Sequence, residues 1–214
     1  MNKNNLNALI IFVDIRGFTT WSEKVGNSAF LDVFVEHWYK ILGKNFFKSS
    51  LIKHLGDGAM IIQEITEKTT AKLLKSLIAE TMKKINTCSE EFSRLCKKFS
   101  EEEGTKIPLI LGWGVAKGPI KRINGDYIGA DINKCARYCD IARPFGIVID
   151  ADDFQRLPAL PKNPAMDFSK QTRLLMGIQE EAEVWVTKEI AQQFIPGLKN
   201  EMANFFEKYK KIKK

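Results

Sequence analysis

The run A-L-I-I-F-V, residues 8–13, is apolar without interruption and ends at Asp14. Such a run reads as a buried strand. A carboxylate at its end is costly unless something meets it. A second segment repeats the situation 43 residues later: K-H-L-G-D-G-A-M, residues 53–60, sets Asp57 inside a Gly-Asp-Gly turn between two apolar runs. An Asp-Gly connection of this kind is a strong hairpin signal. Two carboxylates brought to one sheet end would form a site for a hard divalent cation, which in turn would hold a phosphate-bearing substrate.

The chain has 214 residues, 44% of them apolar, enough for one large domain or one domain with an extension. It has no low-complexity stretch or internal repeat. No apolar run approaches the ~20 residues of a membrane span, and the apolar run near the N-terminus is too short for a signal peptide. A cytoplasmic location is therefore expected. Cys88, Cys96, Cys135 and Cys139 form no C-x-x-C, and His37 and His54 have no zinc-like spacing, so reduced thiols are expected. The net charge of +7 is concentrated in the tail K-Y-K-K-I-K-K, where Lys208, Lys210, Lys211, Lys213 and Lys214 leave the rest of the chain nearly balanced. Neither nucleic acid nor a membrane surface is expected as a partner.

Along the chain, the strand at 8–14 is followed by a helix from an Asn27 cap to about Phe47, with Phe30, Phe34, Trp38, Ile41 and Leu42 on one face. Strands are expected at 51–55 and 59–63, a helix over 68–100, a charged break at 101–106 and a strand over 107–117. A turn at Asn124-Gly125-Asp126, a helix over 131–142 and a strand over 146–149 follow. Residues 151–170 read as loop. Short strands near 172–176 and 183–187 precede a C-terminal helix interrupted at Pro196-Gly197. This order implies an α+β fold with a ferredoxin-like βαββαβ core, an antiparallel sheet and helices on one face. The glycines of G-W-G-V-A-K-G, residues 112–118, fit neither the P-loop nor the dinucleotide spacing. They read as places where another backbone comes close.

Taken in order and spacing, F-V-D-I-R-G-F-T, K-H-L-G-D-G-A-M and G-D-Y-I-G-A-D-I-N-K-C-A-R resemble the class III nucleotidyl cyclase catalytic domain, the adenylate and guanylate cyclase family. The match covers roughly residues 8–150, with a weaker echo to 187. The resemblance implies a domain over 1–187 and a helical extension with a basic tail over 188–214. It implies two divalent cations, Mg²⁺ or Mn²⁺, on Asp14, Ile15 and Asp57. The backbone of Arg16, Gly17 and Phe18 would cradle the triphosphate, with Lys121 and Arg122 near its terminal phosphates. Lys53 and Asp126 would read the base. Asn133 and Arg137, spaced i, i+4 on one helix face, would orient the ribose and stabilise charge on the transferring phosphate. The metal set comes from one protomer in this family and the base and ribose set from the other, so a homodimer with two composite sites is expected.

Two departures stand out. Gly114-Val115-Ala116-Lys117-Gly118 replaces the usual Gly-x-His-Thr-Gly, after an unusual Trp113. Met176 stands where a phosphate-binding lysine precedes a late glycine, with Lys170 and Arg173 as substitutes. Lysine only donates and ionised aspartate only accepts, so the Lys53–Asp126 pair suits adenine, cytosine or uracil. Residues 125–150 also resemble the stand-alone bacterial pyrimidine cyclases of Pycsar antiphage defence. Those make cyclic UMP or cyclic CMP for a separately encoded effector. Trp113, Tyr127 and Tyr138 would favour that reading if they line the base pocket; core packing is their other role. Adenylate cyclase is the alternative, and an inactive cyclase-like nucleotide-binding module the second.

Overall fold

The structure, a computed structural model, describes residues 5–26, 29–104, 106–142, 146–152, 154, 168–178 and 180–187. Its elements are β1 (Asn5–Arg16), α1 (Phe18–Val25), α2 (Ala29–Phe46), β2 (Leu51–Leu55), β3 (Gly58–Ile65) and α3 (Ala71–Glu103). They continue with β4 (Ile110–Ile123), β5 (Asp126–Ile128), α4 (Ala130–Ile141), β6 (Gly146–Asp150), β7 (Phe168–Leu175) and β8 (Glu180–Thr187). One sheet joins all the strands in the order β2-β3-β1-β4-β6-β8-β7, with β5 paired to β4.

The first four long strands, β1, β2, β3 and β4, form the antiparallel ladder of a ferredoxin-like βαββαβ unit with β1 inside it. The expectation of an antiparallel sheet holds within this unit and needs one correction beyond it: β6 runs parallel to β4, because α4 carries the chain back between them.

A second correction concerns the helices. They do not lie on one face. Leu9, Ile11, Val13 and Ile15 of β1 pack in one cluster with Trp38, Phe34, Met82 and Phe92 from α2 and α3. Ala8 and Ile10 pack in the other, with Cys135 and Tyr138 from α4. The run 8–13 is apolar without alternation because successive side chains enter opposite cores.

Helix limits follow local chemistry. The Thr70 hydroxyl accepts from the Leu73 amide and starts α3, and Gly104, at φ 63°, ends it. The charged segment expected to break at 101 therefore stays helical to Glu103. Sequence reading missed α1, which is only eight residues long and opens on Gly17 with no side-chain cap. Two strands of the ladder run further than expected: β1 reaches Arg16, so Asp14 lies inside it, and β4 reaches Ile123. β7 starts at Phe168, inside the expected loop. The Asn27 cap and the helix expected after 188 lie outside the described residues. Among those described, no helix is long and apolar enough to cross a membrane.

The glycines of 112–118 do admit close approach. A Cβ on Gly114 would collide with the backbone of Cys135 and Cys139 in α4, and one on Gly118 with the Asp131 carboxylate. Gly114→Ala should therefore push α4 off the sheet and cost about 2–3 kcal/mol of stability, read from urea unfolding.

Candidate functional site

Asp14 and Arg16 are two residues apart on β1 and project from one face, the face that α4 covers. The Arg16 guanidinium is almost fully buried at 2% exposure. It donates through Nη1 to Asp14 Oδ2 and through Nη2 to the Cys139 carbonyl near the end of α4. Its Nε is buried without a partner. Gly112, paired with Asp14 across the ladder, makes this possible: a Cβ there would collide with the guanidinium. The Arg16 side chain is thus committed to Asp14 and α4, so only its main chain is left for a phosphate. Ile15 is buried as well, and its contribution to a cation would be a carbonyl oxygen.

Gly17, at φ 83°, turns the chain from β1 into α1, with its carbonyl accepting from the Trp21 amide. Phe18 follows at the start of that helix and lines a groove of about 440 Å³ together with Leu31, Val35, Tyr39, Gly56 and Asp57.

Asp57 sits in the β2–β3 hairpin. The register pairs Leu55 with Gly58, so the two turn residues are Gly56 and Asp57, one position earlier than an Asp-Gly turn would have them. Gly56 takes φ 73°, which suits a turn with glycine at its first central position. Gly58 lets the hairpin close on β1: a Cβ there would lie 2.7 Å from the Val13 carbonyl and 3.5 Å from Asp14 Oδ1. Burial first, and then the Asp14 charge, push the Asp57 carboxyl up to about 6. The two carboxylates are therefore close enough for the charge of one to bear on the other.

Among the described residues, no three His, Cys, Asp or Glu gather into a cluster. Two carboxylates with main-chain oxygen are a hard, open donor set. That set fits Mg²⁺ or Mn²⁺, which keep water and substrate phosphate in their shell, and not a closed zinc site.

Lys53 and Asp126 come together although 73 residues separate them: the ammonium donates to Asp126 Oδ2. The Lys53 bond, and after it the Tyr127 amide, hold the Asp126 carboxyl below the usual range. Asn124, at φ 50°, and Gly125, at φ 82°, form the tight turn that sets Asp126 opposite Ile123. Lys121 and Arg122 lie exposed on this hairpin, with Arg122 5.9 Å from the Tyr127 ring centre.

Asn133 and Arg137 share one side of α4, opposite Cys135 and Cys139, which are buried against the sheet. Arg137 pairs with Asp140 at 3.0 Å. A Cβ on Gly177, in the β7–β8 turn, would lie 3.2 Å from its guanidinium. The turn holding Met176, 71% exposed, therefore borders Arg137. Lys170 pairs with Glu183, and Arg173 with Gln171, along the same β-ribbon.

The chain thus gathers three groups: Asp14 with Asp57, Lys53 with Asp126, and Asn133 with Arg137. The third faces away from the sheet on which the first sits. Of the two roles open to Trp113, Tyr127 and Tyr138, the structure shows core packing. Trp113 is buried on the α2–α3 face, with its indole N–H on Ser89. Tyr138 is fully buried against Asp150, and Tyr127 is buried with its hydroxyl on Glu64. Sequence reading also missed Trp38 and Tyr39 as contacts of the Asp57 turn. By its spacing Trp38 is a core position like Phe34 and Leu42, and nothing there distinguishes it.

No protein-family model and no curated protein matches the chain. Solved structures do. The adenylyl cyclase CyaB from P. aeruginosa is 18% identical, with a TM-score of 0.68 over 89% of this chain and 97% of that one. The guanylyl cyclase Cya2 is 14% identical, with a TM-score of 0.65 over 91% and 98%. A bacterial light-regulated adenylyl cyclase is 16% identical, with a TM-score of 0.63 over 92% and 98%. The chain has the fold of these cyclase domains.

The raised Asp57 carboxyl carries a sign that can be checked. Its folded value, about 6, exceeds the ordinary 3.8, so the folded state holds this proton more tightly than the unfolded one. The stability this gives is full below the ordinary value and lost as pH rises through about 6. Without metal, Asp57→Asn should therefore raise the unfolding midpoint at pH 7.5. The gain should shrink toward pH 5 in thermal scans across that range.

Proposed function

We propose that this chain is a nucleotidyl cyclase, which converts a nucleoside triphosphate into a 3′,5′-cyclic nucleotide and pyrophosphate. The observation that carries the reading is the neighbourhood of Asp14 and Asp57: the hairpin that bears Asp57 closes on β1 beside Asp14, and Asp57 lines a groove, in a cyclase-domain fold. Asp14, Asp57 and the Ile15 carbonyl would hold two divalent cations. Bound there, the cations would activate the ribose 3′-hydroxyl and steady the leaving pyrophosphate.

The chain's own residues supply the rest. The main chain of Arg16, Gly17 and Phe18, where the chain turns into α1, offers amides to the triphosphate. Lys121 and Arg122 are exposed cations for its terminal phosphates. Arg137 offers a fork of N–H donors to the phosphate that changes hands, and Asn133 one helical turn earlier orients the ribose.

Asn133 and Arg137 face away from the sheet that bears Asp14. This supports a head-to-tail homodimer in which each chain gives its carboxylates to one site and its α4 pair to the other.

Lys53 and Asp126 read the base. Lys53 donates and Asp126 accepts, so the edge they select has an acceptor beside a donor. The resemblance of residues 125–150 favours UTP or CTP, and so a role in antiphage signalling through a separately encoded effector activated by the cyclic product. The buried aromatics lend that choice no support. ATP is the competing substrate, and a module that binds nucleotide without turnover is the remaining reading.

Incubation with ATP, GTP, CTP and UTP in turn, each with Mn²⁺, followed by chromatography of the products, separates these readings. Cyclic UMP or cyclic CMP is the expected product. Product from ATP alone would overturn the pyrimidine reading, and none from any nucleotide would leave the silent module. Asp57→Ala should abolish turnover while the fold persists. Mixing Asp57→Ala chains with Arg137→Ala chains should restore part of the activity, because one site in each mixed dimer is whole.

A further inference from the structure

We propose that Tyr39 and Trp38 are positioning residues for Asp57: two donors on consecutive residues of α2 fix the turn that carries it, and so set the geometry of the cation site. This rests on the cation-binding reading of Asp14 and Asp57.

The turn has little else to hold it. β2 is the edge strand of the sheet, and its residues become exposed toward the turn at His54 and Leu55. The β1–β3 ladder ends at Val13–Ala59, so Gly56 and Asp57 lie beyond its last pair. Gly56 has no side chain to anchor it, and nothing lies within 4 Å of where a Cβ would be. A glycine turn at a sheet edge would move freely unless tethered.

The tethers come from α2. The Tyr39 hydroxyl donates to the Gly56 carbonyl at 2.6 Å, and the Trp38 indole N–H donates to the Asp57 carbonyl at 3.2 Å. These two carbonyls bracket the Asp57 Cα. Fixing both fixes the direction in which its Cα–Cβ bond leaves the turn, and so the region its carboxylate can reach.

Both donors are themselves immobilised. Trp38 is fully buried, its ring 5.1 Å from that of Phe92, and a buried indole N–H requires an acceptor. The Tyr39 ring stacks on His54 at 3.7 Å, so β2 holds the phenol from the other side. The Tyr39 hydroxyl is spent on the turn, at the exposed rim of the groove.

Removing one hydrogen bond of this kind should weaken cation binding roughly three- to tenfold. The test is a Mn²⁺ titration of the full chain, followed by the paramagnetic resonance of the free ion. It compares wild type with Tyr39→Phe, Trp38→Phe and Asp57→Asn. Tyr39→Phe should bind Mn²⁺ three- to tenfold more weakly while its metal-free unfolding midpoint stays in place. The Mn²⁺ concentration giving half-maximal turnover should rise by the same factor. Trp38→Phe should shift binding in the same direction. If Tyr39→Phe binds Mn²⁺ like wild type while Asp57→Asn has lost it, the tether is overturned and the cation site stands. If wild type binds no Mn²⁺, the cation reading falls, and the tether with it.

Discussion

A buried guanidinium organises the centre of this molecule. Arg16 enters the space between the sheet and α4 with one edge on the Asp14 carboxylate and another on the Cys139 carbonyl. A buried cation is tolerable only with such partners. Those partners in turn dictate what surrounds them. Gly112 must lack a side chain to admit the guanidinium, and Gly114 must lack one to let α4 lie close enough to be reached. The helix that offers Asn133 and Arg137 outward is thus moored, at its other side, to the strand that offers Asp14.

The sheet works as a partition. The side chains of β1 alternate between a large core under α2 and α3 and a smaller one under α4. Asp14 and Arg16 lie on the α4 side, and Asp57 and Asp126 at turns between strands, where the apolar packing stops. The α2–α3 side contributes support: Trp38 and Tyr39 reach past the sheet end to hold the Asp57 turn from behind. Rigid helices thereby fix a turn that an edge strand alone would leave mobile.

Much of this was legible in the chain. The run 8–13, the Gly-Asp-Gly turn and the Asn-Gly turn each carry a local signal, and β2 falls at the expected residues. The ferredoxin-like order also stands as expected. What failed was long-range. Nothing local says that α4 crosses to the opposite face. Nor does it decide between the two roles open to Trp113, Tyr127 and Tyr138, of which the structure shows core packing. An aromatic in a strand looks the same in sequence whether its face meets a helix or a ligand. The short α1 was missed because its start has no capping side chain to announce it.

The sequence by itself determined where the chain turns, which segments are buried and which carboxylates stand exposed to a reason. These follow from backbone preferences and apolar patterning over a few residues. Only the tertiary structure decided the company each side chain keeps. Arg16 stands one residue before the turn into α1, and nothing local says that its side chain is buried between Asp14 and α4, leaving only its main chain toward that turn. Tyr39 looked like an ordinary helix residue; it holds the turn that carries Asp57. Such partners are set by strand register and by which face of the sheet a helix covers, and both are decided by packing between residues far apart in the chain.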